Sequence, residues 1–202
     1  MPPRSSSQST RLRRLRARLL RALPSCGTEA DIVQLLYSEL RPVFGYDPIN
    51  LHVLEREGWF HNLAIDHGLL QDVRRKRLSE SLFARNYDQR ETVVSYLHPT
   101  KRALTEEARG PGLDRFPQTF IWVPIRLQGR VIGAVIYQLL ARRKVPAVER
   151  ALLEEVHAHM GVIVNSAYLN ELTRNQAVSL GALNAIARAL SATRDEEGIV
   201  GT

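Results

Sequence analysis

Gln118–Asn170 reads QTFIWVPIRLQGRVIGAVIYQLLARRKVPAVERALLEEVHAHMGVIVNSAYLN, and this stretch decides the fold. Its two apolar runs, Phe120–Ile125 and Val131–Tyr137, have the β-branched and aromatic content of strands in the centre of a sheet. The turn between them, Leu127–Arg130, contains a glycine, which a tight hairpin needs where φ is positive. The first half of the stretch therefore predicts a buried β-hairpin.

From Pro146 onward the apolar residues recur every three or four positions, which is the period of a helix. The apolar stripe of this predicted helix, Pro146–Asn170, comprises Val148, Leu152, Val156, Met160, Ile163 and Ala167. The helix should continue beyond Asn170, because the following residues up to Leu190 contain no proline. In that extension the apolar residues at heptad positions a and d are Leu169, Leu172, Leu183, Ile186 and Leu190.

Length and charge limit the architecture further. A chain of 202 residues that is 44% hydrophobic can form one good core with a helical extension. The net charge of +7 is concentrated in residues 1–21, which hold seven arginines and no acidic residue, so the remainder balances 21 basic against 21 acidic residues. The arginine-rich segment could contact anionic lipid or nucleic acid, but we favour the leading half of an interdomain or dimer helix.

The single cysteine, Cys26, excludes an intrachain disulfide and favours an intracellular protein. The N-terminus lacks the apolar core of a secretory signal, and the longest apolar stretch, Val131–Ala141, is about half the length needed to cross a bilayer. We therefore expect a soluble, cytoplasmic protein.

The N-terminal third predicts two helices. Residues 1–10 are polar and expected to be a disordered tail, and residues 11–23 have the leucine spacing of an amphipathic helix. A second helix is predicted over Thr28–Val43, with Thr28 as its cap, Asp31 in the capping-box position and Gly45 after its end.

Strands are predicted between these helices and the opening stretch. Asp47–Ile65 alternates like a β-hairpin, with its turn at Glu55–Gly58. Gln71–Arg85 is polar and basic, with apolar residues spaced for a short helix, whereas Glu91–His98 indicates a strand and Thr100–Ala108 a short helix. We expect an α+β domain whose central antiparallel strands are Glu91–His98 and the two runs named above. Helices from both ends of the chain should cover one face of the sheet, and short helices and loops should form a pocket on the other.

Residues Val123–Val135, VPIRLQGRVIGAV, resemble a pattern of the GAF domain family. In that pattern a hydrophobic strand ends in Val-Pro-hydrophobic, a turn with glycine follows, and the next strand carries hydrophobic-Ile-Gly-hydrophobic. Pro124, Gly129 and Gly133 stand at the matching positions. Glu149–Leu172 is similar to the closing helix of the family.

Thr28–Leu40 is similar to the opening helix of a GAF domain, so the resemblance covers residues 24–172. Leu183–Val200 resembles the opening helix of another GAF domain. The resemblance therefore implies a GAF-like domain, then a linker helix over 173–202 with the start of a following domain. It further implies a fragment of a longer multidomain bacterial signalling protein, of which two-component systems are an example.

The resemblance also implies a ligand pocket, because a set of aromatic and polar residues flanks the segment where GAF domains hold ligands. Its candidate residues combine aromatic rings with a few polar groups, as small-molecule pockets do. They are Phe83, Tyr87, Tyr96, His98, Arg115, Phe120 and Trp122. The alternative is that Phe83 and Trp122 are ordinary core residues. Neither the ligand nor any cofactor can be named from the sequence.

The sequence gives little support for a catalytic site or a metal site. No Ser-His-Asp order, paired-carboxylate motif or phosphate-binding glycine loop occurs in a fitting context. His157 and His159 are two residues apart on a helix and point in different directions, so we predict no metal site. GAF domains that attach a bilin or reduce methionine sulfoxide use cysteines that this chain lacks. Those that bind cyclic nucleotides carry an Asn-Lys-Phe-Asp-Glu signature, which this chain also lacks.

The sequence therefore predicts a non-catalytic sensory module that binds a small ligand or partner and acts through its terminal helices on an output domain. Its apolar terminal helices predict a parallel homodimer. Two alternatives stay open: a structural dimerisation module without a ligand, and the sensor half of a DNA-binding transcription regulator.

Overall fold

One antiparallel sheet of six strands organises the part of the chain that the computed structural model describes, residues 4–55, 58–81, 83–88, 91–96 and 117–199. The strands lie in the order β3-β2-β1-β6-β5-β4. Their bounds are Ile49–Leu54 (β1), Trp59–Asp66 (β2), Leu69–Arg77 (β3), Val93–Tyr96 (β4), Thr119–Leu127 (β5) and Arg130–Leu139 (β6). The helices are Arg4–Ala22 (α1), Glu29–Phe44 (α2) and Ala147–Ile199 (α3).

Both predicted hairpins are confirmed. β1 and β2 pair with Ile49 opposite Ile65, and β5 and β6 pair with Val123 opposite Val135. The turn between β5 and β6 places Gln128 and Gly129 at φ 51° and 79°. Two successive positive φ angles match the right-handed twist of the strands, which explains the glycine.

The prediction that the strand within Glu91–His98 is central in the sheet is wrong. The strand exists as β4, but among the described residues it pairs only with β5 and forms one edge of the sheet. The two middle strands are β1 and β6. The predicted helix Thr100–Ala108 lies outside the described residues.

The prediction of a short helix over Gln71–Arg85 is wrong for its first half. Residues 69–77 form β3, which pairs with β2 and makes the other edge of the sheet. In the described residues that follow, the helical segments are of the 3₁₀ type, at Leu78–Glu80 and Ala84–Asp88. Arginine and lysine are common on edge strands, because their charge discourages pairing with another chain.

The predicted start and end of α2 are confirmed. Thr28 Oγ1 accepts a hydrogen bond from the Asp31 amide at 3.1 Å, and the Thr28 amide donates to Asp31 Oδ2 at 2.9 Å. Gly45 ends the helix at φ 77°. The N-terminal helix begins at Arg4, earlier than the disordered tail expected over residues 1–10 would allow.

The main core lies between the three helices and one face of the sheet. Four residues of the predicted α3 stripe are buried there, whereas Val148 is exposed and Ile163 is half-buried. The buried face is rotated slightly from the prediction and is centred on Leu153, Val156, Met160, Val164 and Ala167.

Two glycines allow close backbone contacts around this core. A Cβ atom at Gly133 would overlap the carbonyl oxygen of His52 on the neighbouring strand β1. A Cβ atom at Gly161 would overlap the carbonyl oxygen of Arg126, so α3 packs directly on the backbone of β5. The first overlap means that any side chain at Gly133 would meet the packed backbone of β1.

Beyond the core α3 continues as one helix, as predicted, through Gly181 to Ile199. Every residue from 169 to 188 is exposed. Among the described residues, no helix combines the length and the apolar character needed to span a membrane.

Candidate functional site

The face of the sheet opposite the helices carries a second, smaller core. Alternation in the strands directs one set of side chains of β5 and β6 to this face. Phe120 and Trp122 come from β5, and Ala134 and Ile136 from β6. Tyr87, from the 3₁₀ segment Ala84–Asp88, packs against them with its ring edge on Trp122 at 5.4 Å between centroids.

Beside this cluster lies a cavity of about 50 Å³. It has room for about one or two water molecules. β1, β2 and β6 supply its floor, and the segment after β3 supplies its roof. The lining comprises Asn50, His52, Phe60, Asn62, Lys76, Ser81, Phe83, Phe120, Ile136 and Gln138.

Three residues around the cavity each have one buried side-chain amide atom without a partner among the described residues. Asn50 Nδ2, Asn62 Oδ1 and Gln138 Oε1 have no hydrogen-bond partner in the described part of the chain. Leaving such a group unpaired costs about 1–3 kcal/mol. Buried polar atoms normally have a partner, and water or a ligand in the cavity can supply one for these three.

His52 is the ionisable group at the cavity floor. Its Nδ1 lies 2.8 Å from the hydroxyl of Tyr87, and its ring packs on Phe60. Burial, with a smaller effect from Lys76, lowers the pKa of His52 to about 3. Burial also raises the pKa of Tyr87. Both groups are therefore neutral at physiological pH, and the cavity floor is polar but uncharged.

The seven residues predicted for the pocket divide into four groups. Phe83 and Phe120 line the cavity, with 5.7 Å between their ring centroids. Tyr87 and Trp122 are buried in the neighbouring apolar cluster. Tyr96 is exposed on β4, and the Arg142 guanidinium lies over its ring. The remaining two, His98 and Arg115, lie outside the described residues.

Sequence analysis missed the polar floor of the cavity. Asn50 and His52 alternate with the core residues Ile49, Leu51 and Val53, so the pattern of β1 already assigned them to the opposite face. The alternation was the signal that could have identified them. Asn50 and His52 are nevertheless buried, because the segment after β3 covers them.

A larger groove of about 710 Å³ lies on the helix face between β5 and the start of α3. Exposed charged side chains of both signs line it, including Arg126, Arg150 and Glu154. Such a lining favours a hydrated surface groove. The unpaired buried amides place the stronger candidate site at the smaller cavity.

A buried polar network connects the middle of the sheet to α3. The hydroxyl of Tyr46 donates to Glu149 Oε1, and Arg143 binds both Glu149 oxygens at 2.8 and 2.9 Å. Arg143 Nη2 also reaches the carbonyl oxygen of Phe44 at 3.4 Å. Contact with Glu149 raises the pKa of Arg143, and burial raises that of Tyr46. The network fixes the first turn of α3 to the segments that enter β1 and leave β6.

His157 makes a second connection between α3 and the sheet. Its Nδ1 lies 2.6 Å from the Leu153 carbonyl oxygen and therefore donates. Its Nε2 then accepts from the Tyr137 hydroxyl at 3.3 Å. Burial lowers the pKa of His157 to about 4, so this bridge is neutral.

Known structures share this arrangement of sheet and helices, although no family model and no curated protein matches the sequence. The GAF domain from an Acinetobacter phosphoenolpyruvate-protein phosphotransferase is 17% identical with a TM-score of 0.62, over 81% of this chain and 95% of that one. The GAF domain of a two-component sensor histidine kinase from Bacillus halodurans is 20% identical with a TM-score of 0.58, over 71% and 98%. This chain has the GAF fold.

One of the similar structures with this fold is an enzyme. The free methionine-R-sulfoxide reductase from Neisseria meningitidis, solved in complex with its substrate, is 13% identical with a TM-score of 0.55. The alignment covers 78% of this chain and 90% of the reductase. The GAF fold predicted from the sequence is confirmed, and the function has to be argued from the site itself.

Proposed function

We propose that this chain is a non-catalytic sensory module of the GAF fold. It binds a small polar ligand in the cavity beside β1 and β6 and conveys the binding event to α3. The observation that carries this proposal is the set of three buried amide atoms without partners around that cavity. Similarity to GAF domains of signalling proteins supports it.

The lining defines the chemistry of the ligand. Among the described residues, nothing pairs with the donor Asn50 Nδ2 or with the acceptors Asn62 Oδ1 and Gln138 Oε1. A ligand that satisfies them carries at least one acceptor and two donor hydrogens close together. Lys76 is the one lysine or arginine among the described residues of the lining, so an anionic group would lie on its side.

Binding has to open the cavity, since its present volume admits no more than about one or two water molecules. Phe83 belongs to the roof, and Tyr87 in the same segment is hydrogen bonded to His52. Displacement of this segment therefore acts on β1 directly. From β1 and β6 the change reaches α3 through the Glu149 network.

The position of the single cysteine supports a non-catalytic role. Cys26 follows α1 and packs against the main core, on the opposite face of the sheet from the cavity. Burial raises the pKa of its thiol, so the reactive thiolate is disfavoured. A cysteine-based reduction at the cavity would need a thiol that this chain does not place there.

The projecting part of α3 supports a second element of the proposal, a parallel homodimer. Val162, Leu169, Leu172, Leu183 and Ile186 are exposed and recur at heptad a and d positions of the helix. Two copies paired along this seam would cover these side chains. The ligand-dependent movement would then shift or rotate the paired helices.

Thermal stability and fluorescence test ligand binding. In a Trp59→Phe background the buried Trp122 is the only tryptophan, so its emission reports on the cluster beside the cavity. We expect a screen of small polar metabolites to yield compounds that raise the melting temperature and change this emission. Gln138→Met should abolish both effects, whereas the matched variant Gln118→Met, at an exposed position, should retain them.

The structural alternative predicts a different result. If the cavity is a closed part of the core, no compound stabilises the protein. Gln138→Met then raises the melting temperature, because the substitution removes an unpaired buried polar group. That combination would replace the sensory proposal with a dimerisation module that binds no ligand.

A further inference from the structure

Three side chains with metal-ligand chemistry converge where β2 turns into β3. Asp47 precedes β1, Asp66 ends β2 and His67 begins the turn to β3. One ligand atom from each residue lies within 4.8 Å of the others. None of the three lines the cavity of the proposed ligand site.

Asp66 is the unusual member of the cluster. Its side chain is 3% exposed, and neither carboxyl oxygen has a hydrogen-bond partner in the described part of the chain. Its ion-pairing contact among the described residues is with His67 Nε2 at 3.8 Å, which is too far for a hydrogen bond. A buried carboxylate without a partner is costly, so this group must either take up a proton or receive a cation.

Asp47 is held in place by groups outside the cluster. Its Oδ2 accepts from Arg41 Nε at 3.1 Å and from the Tyr37 hydroxyl at 3.3 Å, and its Oδ1 accepts from the His67 amide at 2.9 Å. Such contacts orient a carboxylate as the outer partners of a metal ligand do. Arg41 balances the negative charge of Asp47. The negative charge of an ionised Asp66 would still have to be compensated.

His67 completes the set from the solvent side. Its ring lies between the two carboxylates, with Nδ1 3.4 Å from Asp47 Oδ2 and Nε2 3.8 Å from Asp66 Oδ1. Two ligand atoms about 2.1 Å from one ion lie between about 3 and 4 Å apart. The distance from His67 Nε2 to Asp66 Oδ1 falls in this range, whereas the cluster as a whole spans up to 4.8 Å, so an ion bound through Nε2 would draw the Asp47 carboxylate closer. The imidazole is half exposed, so water can occupy the remaining positions around an ion.

We propose that Asp66, His67 and Asp47 form a binding site for a divalent transition-metal ion. One imidazole nitrogen with two carboxylates suits Zn²⁺, whereas Mg²⁺ and Ca²⁺ prefer oxygen ligands alone. The ion would connect the β2–β3 turn to α2 through the contacts of Asp47 with Arg41 and Tyr37. The sequence-based expectation of no metal site considered histidine spacing within single elements, and these ligands come from two separate segments.

Calorimetric titration of the chelator-treated protein with Zn²⁺ tests the site. A Cys26→Ser background removes the only thiol. We expect one ion per chain and a higher melting temperature with Zn²⁺. Asp66→Asn keeps the shape of the side chain but removes its charge, and it should weaken binding at least tenfold. The matched variant Asp88→Asn, at an exposed position outside the cluster, should bind as the parent does.

His67→Asn is the second test variant. His67 has φ 48°, a conformation that asparagine adopts more readily than most residues, so the turn is retained while the imidazole is lost. Binding should again weaken at least tenfold. Undiminished binding in both variants would overturn the proposal, as would absence of binding together with a higher melting temperature for Asp66→Asn. The latter result would identify Asp66 as a protonated carboxyl group.

Discussion

At the scale of single residues, Gly161 shows how closely α3 approaches the sheet. Alanine normally stabilises a helix by about 1 kcal/mol relative to glycine. At this position its Cβ would overlap the Arg126 carbonyl oxygen, and backbone cannot move aside as a flexible side chain can. We expect Gly161→Ala to lower the free energy of unfolding by about 1–3 kcal/mol, measured by urea denaturation.

Gly181 is the matched control on the same helix. A Cβ atom there meets nothing within 4 Å, so Gly181→Ala should leave the domain at least as stable as the parent. Equal effects of the two substitutions would show that α3 does not pack on β5 as described. The same reasoning applies to Gly133, where we expect a bulky residue to destabilise the sheet.

Individual residues also show why the site was only partly predictable. Phe83 and Phe120 were identified because aromatic residues near the expected pocket are conspicuous in the sequence. Asn50, Asn62 and Gln138 were not, because a polar residue that alternates with core residues usually faces solvent. Their burial depends on the segment after β3, whose position over the sheet is a tertiary property.

At the scale of elements, the hairpins and α2 follow from local signals, whereas β3 does not. Thr28, Asp31 and Gly45 mark the ends of α2 through contacts within a few residues. In β3 the residues Arg75, Lys76 and Arg77 give no alternating apolar pattern, since an edge strand needs little burial. Pairing with β2 defines this strand, and that information lies outside its own sequence.

The projecting half of α3 yields a prediction about assembly. Leu183 lies on the proposed seam, and Val178 is equally exposed but lies away from it. Placing a charge on the seam disfavours pairing, because each chain then faces the same charge on the other. We expect Leu183→Glu to convert a dimer to a monomer in sedimentation velocity experiments, whereas Val178→Glu stays dimeric.

Two sedimentation results would count against this helix seam. One is a parent chain that is monomeric at high micromolar concentration, and the other is loss of the dimer in both variants alike. Deletion of residues 173–202 alone should leave a folded domain that is largely monomeric, because α1 keeps its place over the main core. A dimer that survives this deletion would place the interface on the core instead.

At the scale of the whole molecule, buried histidines make stability depend on pH. The Glu29 carboxylate, 3.0 Å from His61 Nδ1, raises the pKa of His61 to about 9, against the opposing effect of burial. The folded state therefore holds this proton more tightly than the unfolded chain, and the resulting stability is lost between about pH 6.5 and 9. We expect a loss on the order of 1–2 kcal/mol in urea denaturation, which His61→Gln should abolish.

The loss of stability at acidic pH has the opposite origin, because it comes from histidines whose pKa values are lowered. The lowered pKa values of His52 and His157, about 3 and 4, mean that the unfolded chain takes up their protons first as the pH falls below about 6.5. Stability should decline from there towards pH 4. If His157→Gln and the parent lose the same free energy of unfolding between pH 6.5 and pH 4 in urea denaturation, this assignment is wrong.

The continuity of α3 has a mechanical consequence. At 1.5 Å per residue, the portion of the helix from residue 169 to Ile199 is about 45 Å long. Because its base is fastened by Glu149 and Gly161, the helix is a lever whose pivot lies within the folded domain. A tilt of about 5° at the pivot moves the far end of a lever of this length by about 4 Å. A displacement too small to disturb the core thus becomes a movement comparable to the width of a side chain.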